Sequence, residues 1–153
     1  ETTMHRINRI ACAGFAALLW GLAVTGAPAA DAPAGPGARQ GIVIQVSDSS
    51  PATWNQVLNV AENLPKLMGK ENVEIEIVTF GHGMNMLKFD SEVGNRLKKA
   101  ADSGVALRAC AVTMKKMKLS EADLYPDSGI KVVPAGVLEI MQKSQAGWFH
   151  LRP

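Results

Sequence analysis

The stretch Gly104-Val-Ala-Leu-Arg-Ala-Cys110-Ala-Val-Thr113-Met-Lys-Lys-Met117 decides how the whole chain is interpreted. Its first part, Val105–Ala109, is typical of a short buried strand, and this strand places Cys110 at its carboxyl end. Thr113 follows at a position that suits a helix N-cap. In open α/β sheets, ligands and chemistry lie at the carboxyl ends of the strands. We therefore expect Cys110 to be an accessible thiol that holds its proton less tightly than a free cysteine, with a buried structural cysteine as the alternative.

The composition is that of one globular domain. The chain has 153 residues, of which 47% are hydrophobic and 20% are charged, and its formal net charge is +2. These values lie within the range of folded domains, with no excess of charge that would indicate disorder. No run of basic residues is longer than the pair Lys115-Lys116. The sequence therefore predicts no nucleic-acid partner.

The first 29 residues have the three parts of a secretory signal peptide. A short positive region, Met4–Arg9, precedes an apolar run from Ile10 to Val24, and Ala27-Pro28-Ala29 is an A-x-A cleavage signal. The alternative is an uncleaved membrane anchor, but an apolar run of about 15 residues is shorter than the ~20 that a spanning helix needs. We therefore predict a periplasmic protein, which contacts a membrane only if this segment is retained.

The next segment and the cysteine count add two expectations. Residues 30–40 are rich in Ala, Pro and Gly without apolar periodicity, which predicts a flexible linker to a domain that spans residues 41–153. Cleavage after Ala29 removes Cys12 and leaves Cys110 as the single cysteine. A lone thiol in an exported, disulfide-permissive compartment is a candidate for reactivity or for intermolecular pairing.

Strands alternate with helices along the rest of the chain. The segments between the strands carry apolar residues at helical spacing, as at Trp54, Val57 and Leu58. This alternation predicts right-handed crossovers and a mostly parallel sheet, and hence the α/β fold class. The predicted strands are Gly41–Val46, Val73–Phe80, Val105–Ala109, Ile130–Val133 and Trp148–Leu151.

Three local patterns give more specific expectations. The alternation of apolar residues with Glu74 and Glu76 predicts that one face of the second strand meets solvent or a partner subunit. Asp90 or Ser91 is expected to cap the helix that follows that strand. The predicted apolar positions of the last helix are Val137, Leu138 and Met141.

Several short motifs together resemble the DsrE/DsrF-like family of small α/β sulfur-relay domains. The resemblance covers the chain from about residue 41 to residue 153. It implies a three-layer α/β/α architecture with a five-stranded, mostly parallel sheet of strand order 4-3-2-1-5. It also implies a homo-oligomer, either a trimer or a hexamer. The motifs are Gly104-Val105 with Cys110 and Thr113, His82-Gly83 after the preceding strand, and Gln145-x-Gly147-Trp148 near the end.

The resemblance also implies an activity. In sulfur-carrying members of that family the cysteine after this strand carries a persulfide, and Cys110 corresponds to it by position. The chain therefore resembles a sulfur carrier or sulfurtransferase that takes persulfide sulfur from a donor protein and passes it to an acceptor. The well-understood relay members are cytoplasmic, whereas this chain is predicted to be exported. A role in tRNA thiolation is therefore not expected.

Cys110 and His82 are the predicted catalytic residues. With the implied strand order they end adjacent strands at one edge of the sheet, where the imidazole would activate the thiol as a base or as a cation. Backbone N–H groups of the turn at Thr113, with one of the two lysines that follow, are expected to stabilise the anionic sulfur. Two alternatives stay open, namely that His82 only orders its own glycine-rich turn and that the lysines only form a solvated helix face. The predicted binding residues are Gly83, Asn85, Thr113, Lys115 and Lys116.

The methionines near these residues support a second hypothesis. Thioether, thiolate and imidazole ligands together suit Cu(I), which would make the chain a periplasmic copper- or small-ligand-binding module. The alternative is that the methionines fill irregular gaps in the core. The methionines in question are Met84, Met86, Met114 and Met117.

A third hypothesis is a structural or assembly subunit whose sheet edge carries no chemistry. In that case Cys110 would be buried and inert to alkylation. The sequence has no CxxC pair, no serine in a nucleophile elbow, no P-loop and no GxGxxG. No cofactor and no resident metal are therefore predicted.

Overall fold

The structure, a computed structural model, describes residues 39–153. The predicted signal peptide and the predicted linker up to residue 38 lie outside the described residues. Every predicted strand is found to within one residue at each end. Among residues 39–153, no helix is both long enough and apolar enough to cross a bilayer. The strands are β1 (Gln40–Val46), β2 (Val73–Thr79), β3 (Ala106–Cys110), β4 (Lys131–Val133) and β5 (Phe149–Leu151), and the helices are α1 (Pro51–Met68), α2 (Gly94–Asp102), α3 (Ala111–Met117) and α4 (Gly136–Gln145).

These elements form three layers around one parallel sheet. The strand order is β4-β3-β2-β1-β5, and every neighbouring pair is parallel. This confirms the α/β/α fold class and the expected order 4-3-2-1-5. A 3-10 segment, Gly81–Leu87, follows β2, and a second, Glu121–Asp123, lies between α3 and β4. Because β2 is the middle strand, its side chains from Ile75 to Thr79 are buried on both faces of the sheet.

Helix α1 illustrates how local sequence sets these elements. The Ser50 hydroxyl accepts a hydrogen bond from the Thr53 N–H at 3.4 Å, as expected of an N-cap. The helix continues through Pro65 and ends at Gly69, whose φ of 86° lies in the left-handed region that glycine adopts readily. One face of the helix packs on the sheet through Trp54, Val57, Leu58 and Ala61.

The two faces of the sheet are covered unequally. On one face, α1, α2, α3 and the 3-10 segment after β2 bury a continuous apolar core, in which Ile44 and Ile77 are 0% exposed. On the other face α4 packs across β1, β2 and β3. Its apolar contacts gather around Val43, Val78 and Ile140. The second face is therefore held by a much smaller apolar cluster.

Strand β2 carries a buried carboxylate, which corrects the expected solvent-facing glutamates. Glu74 is exposed as predicted, but Glu76 is 1% exposed. The prediction was wrong at Glu76 because the alternation of residues along a strand does not reveal whether the strand lies at an edge or in the middle of a sheet. In this sheet the middle position encloses Glu76 beneath α4.

Helix α2 begins without the predicted side-chain cap. Val93 occupies the N-cap position and no side chain caps it, so the expectation for Asp90 or Ser91 was wrong. The Asp90 carboxylate instead pairs with Lys88 at 3.3 Å. The first residue of the helix is Gly94, and the Tyr125 ring packs directly on it, so that a Cβ at this position would overlap the ring.

Helix α4 exposes the apolar positions that the sequence indicated for it. Val137 is 63% exposed and Met141 is 49% exposed, whereas Ile140 is 6% exposed. The helix begins at Gly136, which packs against Phe80 without a side chain of its own. Because residues four apart share a helix face, Ile140 then faces the sheet and the predicted set is turned away from it.

Trp148 closes the end of α4 against the start of β1. A Cβ at Gly41 would overlap the indole ring, so only glycine admits the ring there. The Lys143 ammonium lies 4.0 Å from the centroid of the same ring, which is a cation–π contact. Gly41, Trp148 and Lys143 therefore form one packed column, which we call the tryptophan column.

Candidate functional site

Cys110 lies where three elements meet at the carboxyl edge of the sheet. It is the last residue of β3 and also the N-cap residue of α3. The backbone N–H of Gly136, the first residue of α4, lowers the pKa of the Cys110 thiol. The helix after Cys110 thus begins at Ala111, and Thr113 is its third residue, so the predicted N-cap at Thr113 was wrong. Two helix starts converge on one thiol.

Burial and hydrogen bonding act in opposite directions on this thiol. Burial on its own raises the pKa of Cys110, because desolvation disfavours the thiolate. Backbone N–H groups of Gly136, Thr113 and Val112 and the Thr113 hydroxyl donate hydrogen bonds to the sulfur and outweigh burial. The net result is that the pKa of the Cys110 thiol lies below its ordinary value, as the sequence predicted.

Thr113 links the cysteine to the neighbouring strand. Its Oγ1 accepts a hydrogen bond from the Gly81 N–H at 3.0 Å, directly after the end of β2. A hydroxyl that accepts one bond still has its own hydrogen to donate, and here it donates to Cys110. The end of β2 therefore helps to hold the donor that faces the thiol.

The thiol is not accessible, which corrects the sequence expectation. Cys110 is 4% exposed and belongs to the large apolar core. The same helix starts that donate hydrogen bonds to the sulfur also cover it. A reagent or partner protein can therefore reach the sulfur only when one of these segments moves.

Lys115 and Lys116 do not supply the expected positive charge. Both are exposed and lie in the last turn of α3, whereas Cys110 lies at its start. The seven-residue helix is roughly 10 Å long, at about 1.5 Å per residue. Neither lysine is among the groups that lower the pKa of Cys110. The Cys110 thiolate is stabilised by backbone N–H groups instead. The alternative that the two lysines only form a solvated helix face fits their positions.

His82 shares the sheet edge with Cys110 but is not joined to it. As expected, β2 and β3 are adjacent and parallel, so both residues follow strands that end at the same edge. The His82 side chain is exposed, and within the part of the chain that the structure describes its ring makes no hydrogen bond. It is also absent from the groups that shift the pKa of Cys110. Its role as a base or a cation stays a prediction.

The glycine-rich turn packs closely on the end of β1. A Cβ at Gly83 would overlap the Val46 carbonyl group, and the Gly83 N–H donates to the Phe80 carbonyl at 3.1 Å. The Asn85 carbonyl accepts from the Lys88 N–H at 3.4 Å. The close approach that the sequence predicted for this turn is therefore an approach to the neighbouring strand. Ligand contacts of Gly83 and Asn85 stay predictions.

The methionines near the site pack into the core. Met84 and Met86 are 0% exposed and Met114 is 5% exposed, and all three belong to the large apolar cluster. The Met84 sulfur lies 3.8 Å from the Thr79 hydroxyl, which donates its hydrogen to the Arg108 carbonyl at 3.1 Å. Across residues 39–153, no group of three or more His, Cys, Asp and Glu side chains is placed to hold a metal ion. This arrangement favours the core-filling alternative for the methionines.

A buried charge cluster beneath α4 was missed by the sequence reasoning. One carboxylate oxygen of Glu76, Oε2, lies 3.1 Å from Arg108 Nη2 and 3.3 Å from Lys143 Nζ. The other oxygen, Oε1, receives no hydrogen bond from a donor among residues 39–153. Burial raises the pKa of Glu76, the neighbouring Glu139 carboxyl adds to the rise, and the positive charges of Arg108 and Lys143 offset only part of it.

This cluster bears on the site because of where its members lie. Arg108 is two residues before Cys110 on β3, and Lys143 is on α4, whose first residue donates to the sulfur. The Glu76 carboxylate therefore ties α4 to the strand that carries the thiol. A signal for it was present in the sequence, because an arginine inside an otherwise apolar strand requires a buried partner.

Comparison with known proteins finds similar structures without known activities. The structure of a protein of unknown function, MTH1491 from Methanobacterium thermoautotrophicum, is 30% identical with a TM-score of 0.64, over 74% of this chain and 99% of that one. A conserved protein of unknown function from Bacteroides thetaiotaomicron, BT1422, is 16% identical with a TM-score of 0.58, over 74% of this chain and 95% of that one. The second similarity shows the fold alone. No protein-family profile and no curated protein matches the chain.

Proposed function

We propose that this chain, which belongs to the same protein family as MTH1491 of Methanobacterium thermoautotrophicum, is a sulfur carrier that works through Cys110. The observation that carries the proposal is the convergence of N–H groups from the starts of α3 and α4 on one thiol of lowered pKa. The resemblance of the Cys110 stretch to DsrE/DsrF-like domains supports the same role. Export through the first 29 residues and assembly into a homo-oligomer are parts of the same proposal.

The reaction is an exchange of sulfur between thiols. The Cys110 thiolate attacks the terminal sulfur of a donor persulfide, R–S–SH. The S–S bond of the donor breaks, a new S–S bond forms on Cys110, the proton stays on the terminal sulfur, and the donor leaves as its thiolate R–S⁻. An acceptor thiolate then attacks the same terminal sulfur, and the Cys110 thiolate leaves. No oxidant or reductant is consumed, and the N–H groups of Val112 and Thr113 at the start of α3 stabilise Cys110 both as nucleophile and as leaving group.

Burial sets a condition on this role. Because Cys110 is 4% exposed, sulfur exchange requires a covering segment to move. Helix α4 is the segment that we assign to this movement, since its apolar contacts with the sheet are few. When α4 moves, the Gly136 N–H leaves the sulfur, and the thiolate becomes more basic and intrinsically more nucleophilic.

The test is a measurement of intact mass. The full-length chain is incubated with glutathione persulfide, separated from the reagent and weighed by mass spectrometry. The expected result is a gain of the mass of one sulfur atom, reversed by a dithiol reductant and abolished by Cys110→Ser. Cys12→Ser is the matched control, because it removes the other cysteine of the sequence and leaves the gain intact. A wild-type chain that gains no sulfur contradicts the proposal.

A structural or assembly subunit is the second candidate, and the burial of Cys110 favours it. In this case the sulfur merely accepts the N–H groups at two helix starts and takes no part in chemistry. Alkylation by iodoacetamide separates the two candidates. A thiol that reacts in the native state, with a pH profile centred below that of a free cysteine, supports the carrier, and a thiol that reacts only in denaturant supports the structural subunit.

A further inference from the structure

A groove between α1 and α2 lies far from the cysteine in the fold. It encloses a cavity of about 200 Å³, and we call it the α1–α2 groove. The helices run back against the parallel strands, so their C-terminal halves lie at the amino edge of the sheet, opposite Cys110. A second cavity shares Lys70 and Ser103 with the groove and reaches the starts of β2 and β3. The floor of the groove is apolar and consists of Leu58, Ala61, Pro65 and Ala100.

Small side chains keep this groove open. Two of its floor residues, Ala61 and Ala100, have only a methyl group, so the helices approach each other without filling the space. The Ser103 hydroxyl donates to the Ala100 carbonyl at 2.8 Å and is therefore occupied. What remains on the floor is apolar surface, which favours an apolar ligand group over water.

The rim of the groove is strongly cationic. Four basic residues and one acidic residue, Glu62, line it, which leaves a formal charge of +3 (four minus one). The Glu62 carboxylate is already shared, because it lies 3.1 Å from the Lys66 ammonium, 3.1 Å from that of Lys99 and 3.8 Å from the Arg96 guanidinium. Hydrogen bonds from Lys99 and Lys66 hold the pKa of Glu62 below its ordinary value. Within residues 39–153, Lys70 has no acidic partner, so its charge is available to a ligand.

We propose that the α1–α2 groove binds a short amphipathic monoanion. Its apolar body would contact Leu58, Ala61 and Ala100, and its anionic head would lie near Lys70 at the rim. The apolar floor disfavours a purely inorganic anion, and the cationic rim favours a charged ligand over a neutral one. The cavity is smaller than the pockets of drug-sized ligands, which measure about 300–1,000 Å³, so the apolar body must be short. This inference does not depend on the role of Cys110.

Octanoate is the probe, with neutral 1-octanol and inorganic phosphate as comparators. The full-length, isotope-labelled chain is titrated, and the methyl signals of Leu58, Ala61 and Ala100 are followed by NMR. The expected result is saturable binding of octanoate with shifts confined to the groove, and binding of each comparator about tenfold weaker or worse, because each lacks one of the two required parts. No saturable shift, or equal binding of 1-octanol, overturns the proposal.

Two variants and one control locate the binding. Lys70→Glu lowers the formal charge of the rim from +3 to +1 and reverses the charge beside the anionic head, so it is expected to weaken octanoate binding about tenfold. Lys98→Glu changes the net charge equally on α2, but Lys98 pairs with Asp102 outside the groove at 3.7 Å, so binding stays within about twofold. Ala100→Leu fills the floor and is expected to abolish binding, with its urea unfolding curve as the check on folding.

Two further results contradict the proposal. Equal weakening by Lys70→Glu and Lys98→Glu would mean that only the overall charge attracts the anion. Saturable binding of an acidic amphipathic peptide, without any response to octanoate, would assign the groove to a protein partner instead. If Ala100→Leu does not fold, Lys70→Glu and its control still decide the outcome.

Discussion

On the face of the sheet covered by α1, α2 and α3, Ile44 and Ile77 lie in a continuous apolar core, whereas on the face covered by α4 the middle strand carries the buried carboxylate of Glu76. Apolar burial stabilises whatever its orientation, at about 25 cal/mol per Å². A buried ion pair adds little net stability, because desolvation offsets the attraction, yet it is costly to break. Helix α4 is therefore held by few contacts that depend on direction, and α4 is the helix whose start covers Cys110.

The largest effect is expected on the apolar face. Ile77→Ala removes a fully buried side chain and leaves a cavity, so we expect the free energy of unfolding to fall by about 2–5 kcal/mol in urea denaturation. Val137→Ala on the outside of α4 is the control, because its side chain is 63% exposed and the change should stay below about 0.5 kcal/mol. Equal losses of unfolding free energy in the two variants would contradict the distinction between the buried core around Ile77 and the exposed side of α4.

A smaller effect is expected when the contact beneath α4 is broken. Lys143→Met leaves Glu76 with Arg108 as its remaining partner, so we expect a loss of about 1–3 kcal/mol. Native alkylation of Cys110 should become faster, because α4 opens more readily. Lys131→Met is the matched control, since Lys131 is exposed and has no salt bridge among the described residues. Faster alkylation in the control, or an unchanged alkylation rate in Lys143→Met, would show that the ion pair does not hold α4 over Cys110.

The pH dependence of stability tests the buried carboxylate of Glu76 directly. The pKa of Glu76 in the folded chain is raised above its ordinary value of 4.5, chiefly by burial. At a pH between 4.5 and the raised pKa of the folded chain, Glu76 is protonated in the folded chain and has lost its proton in the unfolded chain. A rise in pH therefore disfavours the folded state. Relative to Glu76→Gln, the wild type should therefore lose stability as the pH rises above 4.5, by at most about 1.4 kcal/mol per pH unit.

Urea unfolding of both proteins at a series of pH values measures this difference. Glu62 and Asp123 have lowered pKa values and contribute with the opposite sign, but they are present in both proteins and cancel in the comparison. Parallel pH profiles of the wild type and Glu76→Gln would show that Glu76 releases its proton at its ordinary pKa.

The smallest structural change tests the thiol itself. Thr113→Val keeps the shape of the side chain and removes the hydroxyl that donates to Cys110, so the pKa of the thiol should rise. The midpoint of the alkylation profile should move to higher pH, and the rate at neutral pH should fall. Lys115→Gln and Lys116→Gln should leave the midpoint unchanged, because these lysines lie at the far end of α3. A shift of the alkylation midpoint in the lysine variants but not in Thr113→Val would support the sequence-based expectation that the lysines stabilise the anionic sulfur.

Much of the fold could be predicted from the sequence, since its signals are local. Strands such as Val73–Thr79 have dense β-branched residues, and α1 has a polar N-cap and one apolar face, so their limits follow from short segments. The resemblance of the Cys110 stretch added the strand order, which the parallel sheet confirms. The position of Cys110 and His82 at the same edge of the sheet was predictable too, because parallel strands bring their carboxyl ends together.

The remaining features depend on contacts between distant segments. The burial of Glu76 follows from the middle position of β2, and the burial of Cys110 follows from the start of α4, which lies 26 residues further along the chain at Gly136 (136 minus 110). The outward face of Val137 depends on which residue begins α4. Periodicity within one element cannot reveal these three features, because each feature depends on where a second element or a neighbouring strand lies.

The tryptophan column joins positions 41, 143 and 148, which lie at opposite ends of the described chain. Any side chain at Gly41 displaces the indole, and the Lys143 ammonium then loses its cation–π contact and keeps its pairing with Glu76. Positions 41 and 148 can therefore change only together. Related sequences with a larger residue at position 41 should carry a smaller one at position 148. Joint substitution at these positions in related sequences would show that the contact of the indole with Gly41 holds the end of α4 against β1.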